Sequence, residues 1–432
     1  MDWLGLGWDL PWWAWMLLAI GVIAVVSVIG ALFLPDWPEG DYTLGFDADP
    51  GSDSFVAGAA CFLNSAIFQG GEVRILQNGD AFYPAMLEAI RNAKDSVNFD
   101  VYIFEPDEIG RQFMDAFKER AQAGVEVRVL LDGFGGLKMK KRYREELTKA
   151  GVVVKRFRPP SARSLVRFYK RTHRRAIVID GRIGFTGGAA VSKKWKGNVT
   201  NAHEWRDSMT RVTGPMVAGI QAAFASNWVY CCGEVIAGPR FFPELDRGPG
   251  PCGLSVVSSP SDAMQPIRLL FWLSFINAHT RLWICNSYFI PDRRLRDAVV
   301  ARAKHGVDVR VLVPGNHTDA VPVQLAGRSY YDELLAAGVR VFEYQPAMLH
   351  AKTTVVDGAW SVVGSANLDE RSMELNEENV LGIADRDFAR SIEEGLTADF
   401  GRSREIHLEQ WRKRPIYQRL FEALAKGLIE QY

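Results

Sequence analysis

No lysine or arginine occurs before Arg74, although the 432-residue chain carries 51 of them. The positive-inside rule therefore has nothing to count in the first 73 residues. Cysteine is scarce and patternless. Five residues (Cys61, Cys231, Cys232, Cys252 and Cys285) cannot all pair, and none has metal-ligand spacing, which argues against a disulfide framework and a zinc site. Net charge is absent too, with 51 basic against 51 acidic residues, so total charge singles out no partner. The last absence is local. Residues 12–34, WWAWMLLAIGVIAVVSVIGALFL, contain no charged side chain. As a helix this run would reach roughly 35 Å, enough for a tilted bilayer span, with Trp12, Trp13 and Trp15 at one interface. A cleavable signal peptide fits less well: there is no basic leader, the apolar run is long, and no small-x-small site comes after it. The expectation is a single-pass anchor in the cell membrane, its orientation open.

The remainder of the chain is organised as a duplication. Residues 35–73, rich in Asp, Gly and Ser, read as a tether. Beyond it the first half runs AIRNAKDSVNFDVYIFEPD, GVEVRVLLDG, AGVVV, and the second runs FINAHTRLWICNSYFIPD, GVDVRVLVPG, AGVRV. Helical stretches alternate with buried strands, which predicts two related α/β sandwich lobes over residues 74–240 and 250–403. Gly124 and Gly306 stand where a helix should end before each Val-rich strand. Residues 404–432 form an amphipathic helix region, with Ile416, Leu420, Leu424 and Leu428 at four-residue steps after Pro415. Either packing on the core or resting on lipid headgroups would suit it.

The chemistry sits in the repeat. RTHRRAIVIDGRIGFTGGAAVS and MLHAKTTVVDGAWSVVGSANLDERS share a polar set: His173, Arg175 and Asp180 correspond to His350, Lys352 and Asp357 at a constant offset of 177 positions (350 against 173). Gly187 and Gly188 match Gly364 and Ser365 at the same offset. Residues two apart on a strand face one side, so each imidazole is expected beside its cation. Two imidazoles across a lobe interface supply a nucleophile and a general acid without metal. Two cations suit a phosphodiester, small residues let donors approach its oxygens, and Asn367 adds an amide. One carboxylate per lobe would orient each ring.

These residues resemble the HxKxxxxD…GSxN signature of the phospholipase D superfamily, present twice. The flanking YIFEPD, NSYFIPD, WRDS and LNEEN stretches look like bacterial cardiolipin synthases, over residue 74 to the C-terminus. The resemblance implies two phospholipase D-like lobes with the active site between them and a covalent phosphohistidine. By analogy His173 is the nucleophile and His350 the acid. Glu204, 31 positions after His173, and Glu378, 28 after His350, resemble the carboxylates that orient such histidines. Two positions depart from the pattern: Arg175 replaces the usual Lys, a planar fork for a point charge, and Ala190 replaces an Asn.

The implied activity is transfer of a phosphatidyl group to phosphatidylglycerol, giving cardiolipin, with no cofactor or metal. Phosphatidylethanolamine is a further potential lipid substrate. Hydrolysis by a phospholipase D, cleavage of a nucleic-acid diester, and non-catalytic lipid binding are the competing readings. Nine cations and no acid between Lys155 and Arg175, interleaved with Phe157, Phe168 and Tyr169, favour an anionic membrane over nucleic acid. Oligomeric state is not legible.

Overall fold

The computed structural model describes residues 11–32, 42–44, 48–160, 170–260, 262 and 264–429. Residues 33–34 of the predicted span, part of the tether, and Phe168 and Tyr169 of the basic segment lie outside them.

The chain divides into two units, residues 1–43 and 44–432. The first contains the helix Trp12–Leu32, with no charged residue at either end. Trp12, Leu17, Leu18, Ile20, Val22 and Val25 are exposed along it. Among the described residues no helix is long and apolar enough to cross a membrane.

The second unit carries the duplication as two mixed sheets. One runs Val73–Gln77, Ser208–Thr213, Ile183–Gly187, Ala176–Ile179, Ser96–Val101, Glu126–Asp132, Val153–Phe157. The other repeats that order as Cys252–Ser258, Asn376–Ala384, Trp360–Gly364, Thr353–Val356, Arg281–Cys285, Asp308–Pro314, Arg340–Tyr344, with edge strands Ile67–Gln69 and Ser403–Ile406 added. In both, the Val-rich central strand pairs in parallel with its neighbours, while the motif strand joins antiparallel. Gly124 and Gly306 adopt positive φ at the turns into the Val-rich strands, as a helix-ending glycine does.

Two sequence boundaries need correction. The tether is structured from residue 48 onward. Helix Asp53–Leu63 buries Phe55, Val56 and Leu63, and Phe55 meets Trp360 edge-on. Ile67–Gln69 then pairs with Cys252–Ser258 of the second sheet. Polar composition misled here because Asp, Gly and Ser crowd residues 36–54, whereas residues 55–63 are mostly apolar. The second lobe also continues past residue 403, since Ser403–Ile406 pairs with Arg340–Tyr344.

The lobes share a core. Phe224 and Trp228 of helix Val217–Cys232 and Val178 of the first motif strand belong to one buried cluster with Val355, Leu381 and Ile392 of the second lobe. A close-packed apolar interface of this kind resists small displacements, so the lobes hold each other's active residues in fixed register.

Candidate active site

Each motif leaves its own sheet and hydrogen-bonds to the other lobe. Arg171–Thr172 pairs in parallel with Asn376 and Glu377, and the His173 N–H donates to the Glu377 carbonyl at 2.8 Å. Symmetrically, the Arg206 N–H donates to Met348 O at 2.8 Å and the His350 N–H to Arg206 O at 2.7 Å. This crossover delivers each imidazole to a carboxylate of the opposite lobe. His173 Nδ1 lies 2.8 Å from Glu378 Oε1, and His350 Nδ1 lies 2.7 Å from Asp207 Oδ2. All four groups are buried.

The carboxylates are themselves held. Trp195 Nε1 donates to Asp207 Oδ2 at 2.8 Å and the Ser208 N–H to Oδ1 at 2.7 Å. Ser365 Oγ donates to Glu378 Oε2. Such partners fix ring orientation and tautomer. With an ionised carboxylate at Nδ1, the neutral ring carries its proton there and presents the Nε2 lone pair.

The charge balance favours that state. Burial, then the Arg175 guanidinium, pushes His173 down to about 4, outweighing Glu378. His350 is lowered by burial and then by Lys352. Burial would raise Glu378 and Asp207, but the histidines they bond hold both below the usual carboxylate range. Burial brings Lys352 down to about 8, against the pull of Asp207. Two neutral imidazoles thus sit between two cations, an arrangement that an entering anion would complete.

Both histidines line one cavity of about 240 Å³, with Arg175, Tyr102, Trp205, Tyr288 and Asn367. Tyr102 meets His173 edge-on at 5.2 Å, and the Trp205 ring is tilted against His350 at 5.4 Å. Among the described residues Asn367 Oδ1 is buried without a hydrogen-bond partner, a polar group open to a ligand. The cations differ. Lys352 Nζ donates to Ser287 Oγ at 2.7 Å and to His350 O at 2.5 Å, and lies 3.2 Å from His350 Nε2. The Arg175 fork likewise bonds the carbonyl of its own histidine, His173, and adds Ala189 O at 3.4 Å.

Several expected site residues lie elsewhere. Asp180 and Asp357 do not touch the imidazoles. Asp180 accepts from the N–H groups of Lys94, Asp95 and Ser96 at 2.8–2.9 Å, and Asp357 from those of His279, Thr280 and Arg281 at 2.8 Å. Each sits at positive φ before a glycine at positive φ, the Asp-Gly pair of a tight hairpin. Glu204 is occupied by Thr200 and Asn201 in a surface loop. Gly188 and Ser365 serve the carboxylates rather than an incoming oxygen: a Cβ on Gly188 would fall 2.3 Å from Asp207 Oδ1. Gly187, at positive φ, backs onto Ser208 O, where a Cβ would fall 2.3 Å away. Ala190 is packed in the core, its carbonyl accepting from Tyr83 Oη at 2.7 Å.

Asp207 was the residue missed. It lies in WRDS and Glu378 in LNEEN, each just ahead of or on the strand that pairs with the Gly-Gly or Gly-Ser strand. The first lobe is six residues longer there (20 positions from Gly187 to Asp207, 14 from Gly364 to Glu378), so the constant offset fails. Strand register would have found it. The basic segment is also less free than its composition suggests. Arg174 pairs with Glu377 at 3.1 Å, Arg171 approaches Asp132, and Arg158 stacks on Phe157 and Tyr230.

The geometry agrees with what the chain is similar to. The family described as "Cardiolipin synthase, PLD-like domain" matches residues 86–228 and 274–400, the two lobes. Cardiolipin synthase A of Pseudomonas fluorescens (strain SBW25) is 38% identical over 358 residues, 82% of this chain and 74% of that protein. The chain belongs to this family. Cardiolipin synthase 2 of Bacillus anthracis is 33% identical over 82% of this chain and 69% of its own length. The fold also matches the crystal structure of phosphatidylserine synthase from Haemophilus influenzae Rd KW20, with a TM-score of 0.61 at 16% identity, over 87% of this chain and 96% of that one.

Proposed function

We infer that this protein is a phospholipid phosphatidyltransferase of the phospholipase D superfamily, a cardiolipin synthase that uses phosphatidylglycerol as donor and acceptor. The observation that carries the reading is the pair of crossed His–carboxylate bonds at one cavity, in a chain 38% identical to a cardiolipin synthase.

The roles of the residues derive from their protonation. His173 Nε2 attacks phosphorus and forms a P–N bond, while the donor's glycerol oxygen leaves with a proton from His350. Binding of the anionic diester raises His350 and makes that proton available. Glu378 balances the positive charge that develops on His173 as the bond forms. Lys352 and Arg175 stabilise the non-bridging oxygens. In the second half-reaction His350 takes the proton of an acceptor hydroxyl, whose oxygen displaces His173 and closes the new diester. Glycerol and cardiolipin are the products. Water in place of the acceptor would give phosphatidic acid.

A membrane anchor belongs to the same reading. What supports it is the charge-free helix Trp12–Leu32 with its exposed apolar side chains and a substrate that resides in a bilayer.

Purified protein incubated with phosphatidylglycerol, with and without phosphatidylethanolamine, tests the reading. Cardiolipin with free glycerol is expected. Phosphatidic acid as the main product would make it a hydrolase, and unchanged lipid would remove the proposal.

A further inference from the structure

An amphipathic helix on a protein surface ordinarily turns its apolar stripe inward. The helix Ile416–Ile429 does the reverse. Ile416, Leu420 and Leu424 are 74%, 60% and 64% exposed, with Tyr417 and Phe421 exposed beside them, whereas Glu422 is 3% exposed. The inward Glu422 is satisfied by an ion pair with Arg414. An apolar face of several large side chains, left open while a carboxylate is buried beneath it, marks an interaction surface.

Its place in the fold points to the occupant. This helix packs on Val321–Arg328, whose first residue, Val321, is also exposed. Two residues earlier Asp319 lines the catalytic cavity and accepts from Tyr288 Oη at 2.8 Å. In the other lobe, the loop after Glu126–Asp132 exposes Phe134 and Leu137, and its Gly135 backs onto the carbonyl of Tyr102, a cavity residue. Lys413 and Arg419 flank the helix stripe and are exposed. Facing another copy, those cations would repel; facing anionic headgroups, they attract.

We propose that the outward stripe of the C-terminal helix, together with Val321, seats the catalytic unit on an anionic bilayer beside the mouth of the cavity. The inference rests on the phospholipid reading of that cavity. The stripe enters the headgroup–acyl boundary, as interfacial helices do, and substrate headgroups then reach the histidines without the lipid leaving its leaflet.

The test uses the full chain in nanodiscs of phosphatidylglycerol and in nanodiscs of neutral phosphatidylcholine, with backbone hydrogen exchange read at residues 416–427. Exchange is expected to slow by about fivefold or more in the anionic discs relative to the neutral ones. The variant Leu420→Ser/Leu424→Ser should raise KM for phosphatidylglycerol vesicles by about tenfold or more, from lost apolar burial, and leave kcat/KM for monomeric short-chain phosphatidylglycerol unchanged. Exchange that slows only with rising protein concentration would make this a face between copies and overturn the proposal. Equal exchange in all conditions, or equal losses on both substrates, would overturn it too. Should the wild type turn over neither substrate, the transferase reading fails while the exchange measurement still decides the docking.

Discussion

The two halves of the active site are alike in scaffold and unlike in their cations. In both, a motif segment crosses to the opposite lobe, a buried carboxylate holds Nδ1 of the imidazole, and an Asp-Gly hairpin anchors the strand behind it. In the first lobe, however, the cation is Arg175, whose guanidinium bonds the backbone carbonyls of His173 and Ala189 and lines the cavity. In the second it is Lys352, whose ammonium lies against the His350 ring and bonds the Ser287 hydroxyl and the His350 carbonyl. Both cations bond the backbone carbonyl of their own histidine, but Arg175 lines the cavity as a planar fork whereas Lys352 is a buried point charge against its ring. Duplication thus preserved what positions the rings, and divergence fell on the shape of the cation beside each one.

The largest effects should come from the rings themselves. His173→Ala and His350→Ala are each expected to lower kcat/KM for phosphatidylglycerol by about 10³-fold or more, since neither half works alone. Near-normal turnover in either variant would break the shared-site account. Next come the crossed carboxylates. Asp207→Asn and Glu378→Gln keep the shape but favour the wrong tautomer, with an expected loss of about 10²–10⁴-fold in kcat. Equal effects would make the halves equivalent at this level, and a lopsided pair would separate nucleophile from acid.

The cations sharpen the contrast. Lys352→Arg should cost more than Arg175→Lys, because a planar guanidinium cannot reproduce the buried Lys352 contacts to Ser287 Oγ, His350 O and the His350 ring together. The pH profile reports the same difference. With His173 down to about 4 and Lys352 down to about 8, kcat at saturating phosphatidylglycerol, where the bound diester raises His350, should hold into mild acid and fall through about pH 8, and Lys352→Arg should move the alkaline limb upward. Stability carries the histidine's sign: the unfolded chain binds a proton between pH 6.5 and about 4 that folded His173 refuses, so a melt should weaken as pH falls through that window.

The smallest catalytic effects belong to the motif aspartates. Asp180→Asn and Asp357→Asn should each lose about 1–3 kcal/mol of stability while kcat/KM, measured well below the melting temperature, stays within about threefold. Glu204→Gln should change neither.

These outcomes also mark what could be read from the chain. The duplication, the strands Glu126–Asp132 and Asp308–Pro314, and the histidines at one cavity were all legible, because periodicity and spacing encode local geometry. The partners of the histidines were legible only in part: the resemblance named Glu378, but not that it holds the opposite lobe's His173, and Asp207 was missed. Glu378 and Asp207 reach across the interface, and sequence distance says nothing about the opposite lobe. Asp180 and Asp357 show the converse error. An Asp followed by Gly between apolar runs is first a hairpin signal, and that local role uses up the carboxylate. Glu204 was near in sequence and is bound to its own loop.

The central claim is that one phosphorus is passed through His173 while His350 moves the protons. Phosphatidylglycerol labelled at phosphorus, given to the His350→Ala variant and quenched, should leave an acid-labile adduct on His173. An adduct on any other residue, or none at all, would contradict the account.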